Sequence, residues 1–495
     1  MTIQMPKIMG RALWTFGGRA LSVTLLLTMG GACHLLEVNT PDVVPADNLN
    51  NPLALPTIRA GAIGDFGIAY TGSGAQGSGG TTEGQVLASG LLADEWINTE
   101  TFPDRVQADA RQVDPASGTW TTVFRNVARA HLSALNAAQK FRDLSDTTRN
   151  TGLTEMLVLA AYTRVFFAEN YCSGVPLSYP NPDGSVLNGS QLTTAQMLDS
   201  ALYLFDQALI RANALAPVTA SDTAAKLQMQ RFARVGKART LWDMGRLADA
   251  DTVASVANIP TTFSYLIQHD LNTARQQNGV YSGMRKFKRY GVANGEGGAG
   301  FPWQTVLDPR TPFTRVPANN KGFDASTEQW DQLRYTDEKA AITLATGLEA
   351  RLIQAEAALG QGDTTGFMAQ LNGLRASPPS YILAGVQGTT TPADQPRPVA
   401  AMAALTNPAN PTAAVDLLFS ERARWLWGTA HRLNDLRRLE RAVGVRGGYG
   451  RPDASVFPTG VYFKNGLTYG TDVNFPIPLD EQNNPNFQQC LDRLP

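Results

Sequence analysis

The stretch from Asp416 to Val443, DLLFSERARWLWGTAHRLNDLRRLERAV, constrains the fold more than any other part of the chain. It contains no Pro, one internal Gly and many strong helix formers. Wound at about 3.6 residues per turn, it places Phe419, Ala423, Leu426, Ala430 and Leu433 on one stripe. Leu418, Trp425 and Leu436 widen that stripe. Glu421, Arg424, Gly428, Arg432 and Asp435 fall on the opposite side, at spacings that allow i,i+3 and i,i+4 charge pairs. The pattern predicts one helix over 416–443, buried on one side and held by ions on the other. Glu421, Arg424, Arg432 and Asp435 are expected to lock helices together rather than touch a ligand.

Much of the remaining chain repeats this periodicity. Helices are predicted at Leu53–Tyr70, Thr81–Asn98 and Thr119–Arg142. From Gly152 to Ala257 small-residue-rich helices alternate with short Gly or Pro turns, as in imperfect tetratricopeptide-like pairs. A further hairpin is expected at Gly347–Leu359 and Phe367–Arg375. Between 258 and 340 the periodicity fades, while Gly, Pro, Asn and aromatic residues rise. Long loops of that kind on a rigid scaffold tend to carry recognition. The predicted fold class is therefore mostly α, with long irregular loops.

The N-terminus reads as a targeting segment. Lys7, Arg11 and Arg19 precede the apolar run Ala20–Met29, which is too short to span a bilayer. Gly30-Gly31-Ala32 then lead into Cys33. This arrangement resembles a bacterial lipobox, with 1–32 removed and Cys33 carrying the lipid, so a mature domain of 33–495 is expected. Acyl chains would then hold the protein at a membrane surface. The remaining cysteines, Cys172 and Cys490, are expected to pair in an oxidising envelope compartment.

Several chemistries find no support. With 42 Lys plus Arg against 43 Asp plus Glu, the chain lacks the basic surplus of a nucleic-acid binder. Its longest basic run, Arg285-Lys286-Phe287-Lys288-Arg289, reads as a solvated loop. The sequence has no H-E-x-x-H, G-x-S-x-G, P-loop or Cys/His zinc spacing. Gly72, Gly74 and Gly77 formally match G-x-G-x-x-G, but no βαβ unit surrounds them. His131 lies on an apolar helix face and is read as a packed, hydrogen-bonded histidine. No enzymatic activity, cofactor or metal is expected.

Several motifs in order along the chain resemble the SusD/RagB family of nutrient-uptake lipoproteins. The arm after Cys33 reads HLLEVNTPDVVPADNLNNP. AYTRVFF is followed by GVPL, and later by GKARTLWDMGRLADADTVA. Asp308-Pro309-Arg310, the GLEARLIQAEAAL hairpin, Glu421-Arg422, Asp435-Leu436-Arg437-Arg438 and the tail Phe475-Pro476-Ile477-Pro478 complete the series. Trp427-Gly428-Thr429-Ala430 stands where that family usually has an acidic-glycine pair.

The resemblance implies a single SusD-like domain in a lipoprotein anchored to the outer membrane and exposed at the cell surface. It would bind an oligomeric nutrient, an oligosaccharide or a peptide, and deliver it to a SusC-like TonB-dependent transporter. Sugars are held by stacked aromatics together with planar donors and acceptors. Trp96, Asn98, Tyr281, Arg285, Trp303 and Trp330, in the loops at 94–105 and 281–335, are the candidates for that role. A helical docking scaffold without a small ligand, or a secreted hydrolase, are the alternative readings.

Overall fold

In the computed structural model, the described residues are 49–75, 81–181, 185–315, 320–384 and 397–495. Cys33 and the expected targeting segment, residues 1–32, lie outside them. Residues 52–495 form one compact unit, to which the following account refers.

Helices dominate, and half of those labelled here start where the sequence supplies a side-chain cap. We label them α1 (Leu55–Thr71), α2 (Gln85–Leu92), α3 (Pro103–Asp109), α4 (Gly118–Leu144), α5 (Gly152–Asn170), α6 (Thr194–Ala214), α7 (Ala220–Asp243), α8 (Leu247–Ala254), α9 (Gly347–Gly360), α10 (Thr364–Ala376), α11 (Pro411–Trp425) and α12 (Arg432–Glu440). Thr193 with Gln196 and Thr219 with Asp222 close reciprocal capping boxes on α6 and α7. Asn410 accepts from the Ala413 N–H at 2.9 Å, and Pro411 sits in the first turn of α11. The expected mostly-α architecture is what the structure has. Among the described residues, no helix is long and apolar enough to cross a membrane.

Short turns join α6 to α7, α7 to α8 and α9 to α10, so these helices pack as hairpins. Their shared interior is aromatic. Tyr162 of α5 meets the Phe205 ring edge-on at 5.3 Å and stacks on Phe232 at 5.7 Å. Phe232 in turn stacks on Tyr265 at 3.7 Å. Tyr265 lies on the strand Ser264–Ile267, which pairs antiparallel with Ile342–Thr346, the strand that leads into α9. His131 is buried on α4, its Nδ1 2.9 Å from Thr163 Oγ1, and burial pushes its pKa down to about 3.

Two predicted helices are shorter than their periodicity suggests. Thr81–Asn98 ends at Leu92, and Trp96–Asn98 becomes a strand paired with Tyr290–Val292. The stretch 416–443 is interrupted between Trp425 and Arg432, where Gly428 (φ 68°) and Ala430 (φ 61°) adopt left-handed backbone. Tertiary partners replace the helix's own hydrogen bonds there. Arg334 donates to Trp427 O at 2.6 Å, Tyr335 Oη to Gly428 O at 3.0 Å, and Tyr70 Oη to Thr429 O at 3.1 Å. Glu95 Oε1 accepts from the Gly428 N–H at 3.1 Å. The turn inserts Trp427 between Trp96 and Trp303, at 5.3 and 6.1 Å ring separation.

The four charges on this stretch do tie elements together, but not with one another. Glu421 pairs with Arg310 (2.6 Å) and Arg375 (2.9 Å), and Arg424 with Asp308 (3.3 Å). Arg432 pairs with Asp94 (2.7 Å) and Asp435 with Arg422 (2.7 Å). The local i,i+3 pairs do not form because each of these side chains meets a partner on another element instead. The buried Cys172, which follows α5, forms a disulfide with Cys490.

Burial at this turn has a pH signature. It pushes the Glu95 carboxyl up to about 8, against the opposing Gly428 hydrogen bond. Asp109, Glu296 and Glu440 are pushed up to about 7, again by burial. The unfolded chain releases such protons near the ordinary value of 4.5 for Glu. Between that value and about 8 the folded state therefore binds more protons, and stability falls as pH rises. Glu95→Gln keeps the acceptor for Gly428 and removes one titrating group. The expected result is a shallower decline of the urea midpoint from pH 5 to pH 9; a slope equal to that of the wild type would show that Glu95 does not carry it.

Candidate functional site

The strand Trp96–Asn98 and its partner Tyr290–Val292 form a ledge on which three distant segments meet. Thr99 N–H donates to Arg289 O at 2.9 Å, and Thr99 Oγ1 to Lys288 O at 2.8 Å. The 322–324 turn lies against them, with Phe323 N–H donating to Lys288 O (2.8 Å) and Asp324 N–H to Thr99 O (3.0 Å). The third segment is a hairpin whose turn is Lys464-Asn465-Gly466-Leu467. Asn465 (φ 58°) and Gly466 (φ 64°) both have positive φ, as a tight primed turn requires. Tyr462 N–H donates to Leu467 O at 2.9 Å and closes it.

Lys464 joins the three. Its Nζ donates to Asn98 O (2.6 Å), Asn98 Oδ1 (3.1 Å) and Glu100 O (3.2 Å), and pairs with Asp324 (2.6 Å). Burial opposes ionisation of Asp324. Hydrogen bonds from Lys464, Thr327 and the Ser326 and Thr327 amides nonetheless hold its carboxyl well below the usual range. Beneath the ledge, Arg105 bridges Glu83 and Glu100, each at 2.7 Å, and Tyr290 Oη donates to Glu83 at 2.5 Å. This buried ionic floor fixes the strand ends.

On or beside the segments that Lys464 joins, three large aromatic side chains remain exposed: Phe102 (54%), Phe323 (57%) and Phe463 (47%). The Phe102 ring lies 5.5 Å from the Arg105 guanidinium, and the Phe463 ring 5.4 Å from Lys464 Nζ. Half-buried Phe287 sits 5.3 Å from the Arg289 guanidinium. Aromatic faces beside fixed cations and amide groups suit the hydroxyl-edged, apolar faces of sugar rings. Among the described residues, no cluster of three or more His, Cys, Asp or Glu could hold a metal ion.

The six residues singled out in the sequence divide into two groups. Trp96 and Trp303 are core residues, each 1% exposed. Their indole N–H groups donate to Val86 O (3.2 Å) and Asp94 O (2.5 Å), and both rings pack on Trp427, so neither offers a face to a ligand. Asn98 is also buried, and acts as an acceptor for Lys464 and the Glu100 N–H. Tyr281, Arg285 and Trp330 are half-buried. Arg285 lies over Tyr281 at 5.8 Å and 3.7 Å from Asp331, and Trp330 meets Phe313 edge-on at 5.8 Å.

The basic run at 285–289 is not a solvated loop. It closes the π-helical turn Ser282–Lys286 and enters the ledge, with Lys286 paired to Glu338 and Arg289 3.7 Å from Glu100. Phe463 and Lys464 went unrecognised in the sequence. The Asn465-Gly466 turn, with aromatics just before it, was the available signal.

No family model and no curated protein matches the chain by sequence. Solved structures do match it. A SusD superfamily protein from Bacteroides fragilis aligns at TM-score 0.59 and 13% identity, covering 88% of this chain and 99% of its own. Surface glycan-binding protein A from Bacteroides uniformis aligns at TM-score 0.57 and 14% identity, with 88% and 99% covered. A laminarin-binding SusD-like protein aligns at TM-score 0.52 and 13% identity, with 89% and 99% covered. Likeness over nearly the whole of each chain establishes the architecture of this one: it has the SusD-superfamily fold.

Proposed function

We propose that this chain is a SusD-like binding protein that captures an oligomeric nutrient, a glycan in the first instance, across the aromatic ledge around Lys464. The observation that carries the reading is that exposed Phe102, Phe323 and Phe463 lie on or beside the segments joined by one half-buried, multiply bonded lysine. Large exposed aromatics on a rigid, ion-pinned platform cost solubility unless something binds them. Tyr281, Arg285 and Trp330 would extend the surface along the same strand. Two solved neighbours are described as glycan- and laminarin-binding proteins, which supports the choice of ligand class.

In the full proposal Cys33 carries a lipid anchor at the outer membrane, and a SusC-like TonB-dependent transporter receives the ligand. The chain performs no chemistry on what it binds. Titration calorimetry of the protein against a panel of oligosaccharides and peptides tests the core of this reading. Each exposed ring contributes about 0.5–1.5 kcal/mol, so the triple variant Phe102→Ala/Phe323→Ala/Phe463→Ala should bind at least about 10-fold more weakly. Its urea midpoint should be unchanged, because the rings are exposed. Wild-type affinity in the triple variant would remove the ledge from the site. A tagged protein that brings down no β-barrel from mild detergent would remove the transporter.

A further inference from the structure

A second concavity lies away from the ledge, between α10 and the loop that follows α8. It has a volume of about 550 Å³ and is lined by Arg351, Val256, Thr261, Gly373, Leu374 and Pro379, among others. No acidic residue lines it. Tyr381 fixes one wall, its hydroxyl donating to Thr261 O at 2.9 Å and accepting from the Leu348 N–H at 3.1 Å.

Arg351, on α9, is only 3% exposed. One nitrogen of its guanidinium, Nη2, donates to Ala254 O and to Ile259 O. Nε and Nη1 are buried and have no hydrogen-bond partner. Arg239, Arg310, Arg422 and Arg438, also buried, each contact a carboxylate at 2.6–2.7 Å. Arg351 has no such partner; the carboxylate that most favours its charge, Asp251, instead accepts from Gln354 at 2.8 Å. Burial lowers the Arg351 pKa to about 10, opposed by Asp251 and Tyr381, so the group stays cationic at neutral pH. Arg437 likewise lacks a carboxylate within ion-pair distance, but it is enclosed, whereas Arg351 borders an open groove.

A buried cation without a counter-ion is costly, and Nε and Nη1 can each donate a charge-assisted hydrogen bond to a carboxylate. We propose that this groove binds a small organic carboxylate, its charge directed to Arg351 and its apolar part lying against Val256, Leu374 and Pro379. The proposal stands independently of the ledge. A carboxylate of this kind comes from an aliphatic acid or from a sugar acid.

The test is titration calorimetry with hexanoate, its neutral isostere hexanamide, glucuronate and glucose. The expected result is saturable binding of at least one acid at a Kd on the order of 1 mM, about tenfold or more tighter than its neutral counterpart. The stronger of the two acids identifies the source. Arg351→Met should abolish this binding, but it also removes bonds to two backbone carbonyls. Gly373→Phe provides the independent variant, because a Cβ at Gly373 meets nothing within 4 Å. It fills the groove and leaves Arg351 intact. Loss of binding in Gly373→Phe, with an unchanged urea midpoint, supports the site. Equal binding of acid and neutral isostere overturns the proposal, as does undiminished binding in Gly373→Phe, or no binding of either acid at about 50 mM.

Discussion

Glu421→Gln is expected to lower the free energy of unfolding by about 3–5 kcal/mol, the range found when one partner of a buried ion pair is removed. Four donors converge on this carboxylate. Arg310 reaches it twice, at 2.6 and 3.0 Å, Arg375 at 2.9 Å, and Trp425 Nε1 at 3.1 Å. The Gln side chain has nearly the same shape, so packing is preserved and the loss is electrostatic. Arg310 would keep Asp308, at 2.7 Å, but Arg375 would lose its carboxylate. Urea unfolding of the two proteins under one buffer measures the difference. A loss below about 1 kcal/mol would place Glu421 among the weak, screened pairs typical of surfaces. Replacing both Arg310 and Glu421 with Met should not recover this loss, because Arg375 still lacks its carboxylate and Asp308 then loses its 2.7 Å partner.

The second large effect concerns the disulfide. Cys172 and Cys490 are 318 residues apart in sequence, so the bond closes most of the domain into one loop. A cross-link over so long a loop restricts the unfolded chain strongly, and its removal costs about 2–5 kcal/mol in typical cases. The native surroundings are ordered on both sides. Cys172 N–H donates to Phe475 O at 2.9 Å, and Leu491 N–H to Ser173 O at 2.8 Å. Cys172→Ala/Cys490→Ala is therefore expected to keep the fold at room temperature and unfold at a distinctly lower urea concentration. Thiol titration of the unreduced, unfolded mature protein should find neither cysteine free. Two free thiols would mean that the bond does not form in the protein as made.

The helical scaffold was legible in the sequence because helix periodicity depends on neighbours three and four residues away. Capping residues such as Thr193, Thr219 and Asn410 mark helix starts for the same local reason. The break inside 416–443 was not legible beyond one glycine. Its backbone is stabilised by Tyr70, Glu95, Arg334 and Tyr335, which are remote in sequence. Likewise, a Trp in an irregular stretch reads as surface until its neighbours are known. Trp96 and Trp303 are held inside by Trp427, which the sequence placed on a helix. The ledge was the least legible part, because Asn98, Asp324 and Lys464 are brought together only by tertiary packing. Aromatic content pointed to the loops that form the ledge, while which rings stay exposed depended on which ones the core left uncovered.

The position of Lys464 also bears on the order in which the ledge can be assembled. During synthesis the ribosome releases Asn98 first, then Asp324, and the Lys464 hairpin long after the tetratricopeptide-like pairs have emerged. Helical hairpins need only nearby contacts and can form as they appear. The ledge cannot, since the side chain that joins its segments arrives late. A nascent chain stalled before residue 464 would carry most of the scaffold, yet its 98–100 and 322–324 turns would lack their shared cation. Assembly of the ledge is thus a property of the nearly finished polypeptide, and a chain cut off before residue 464 would lack it.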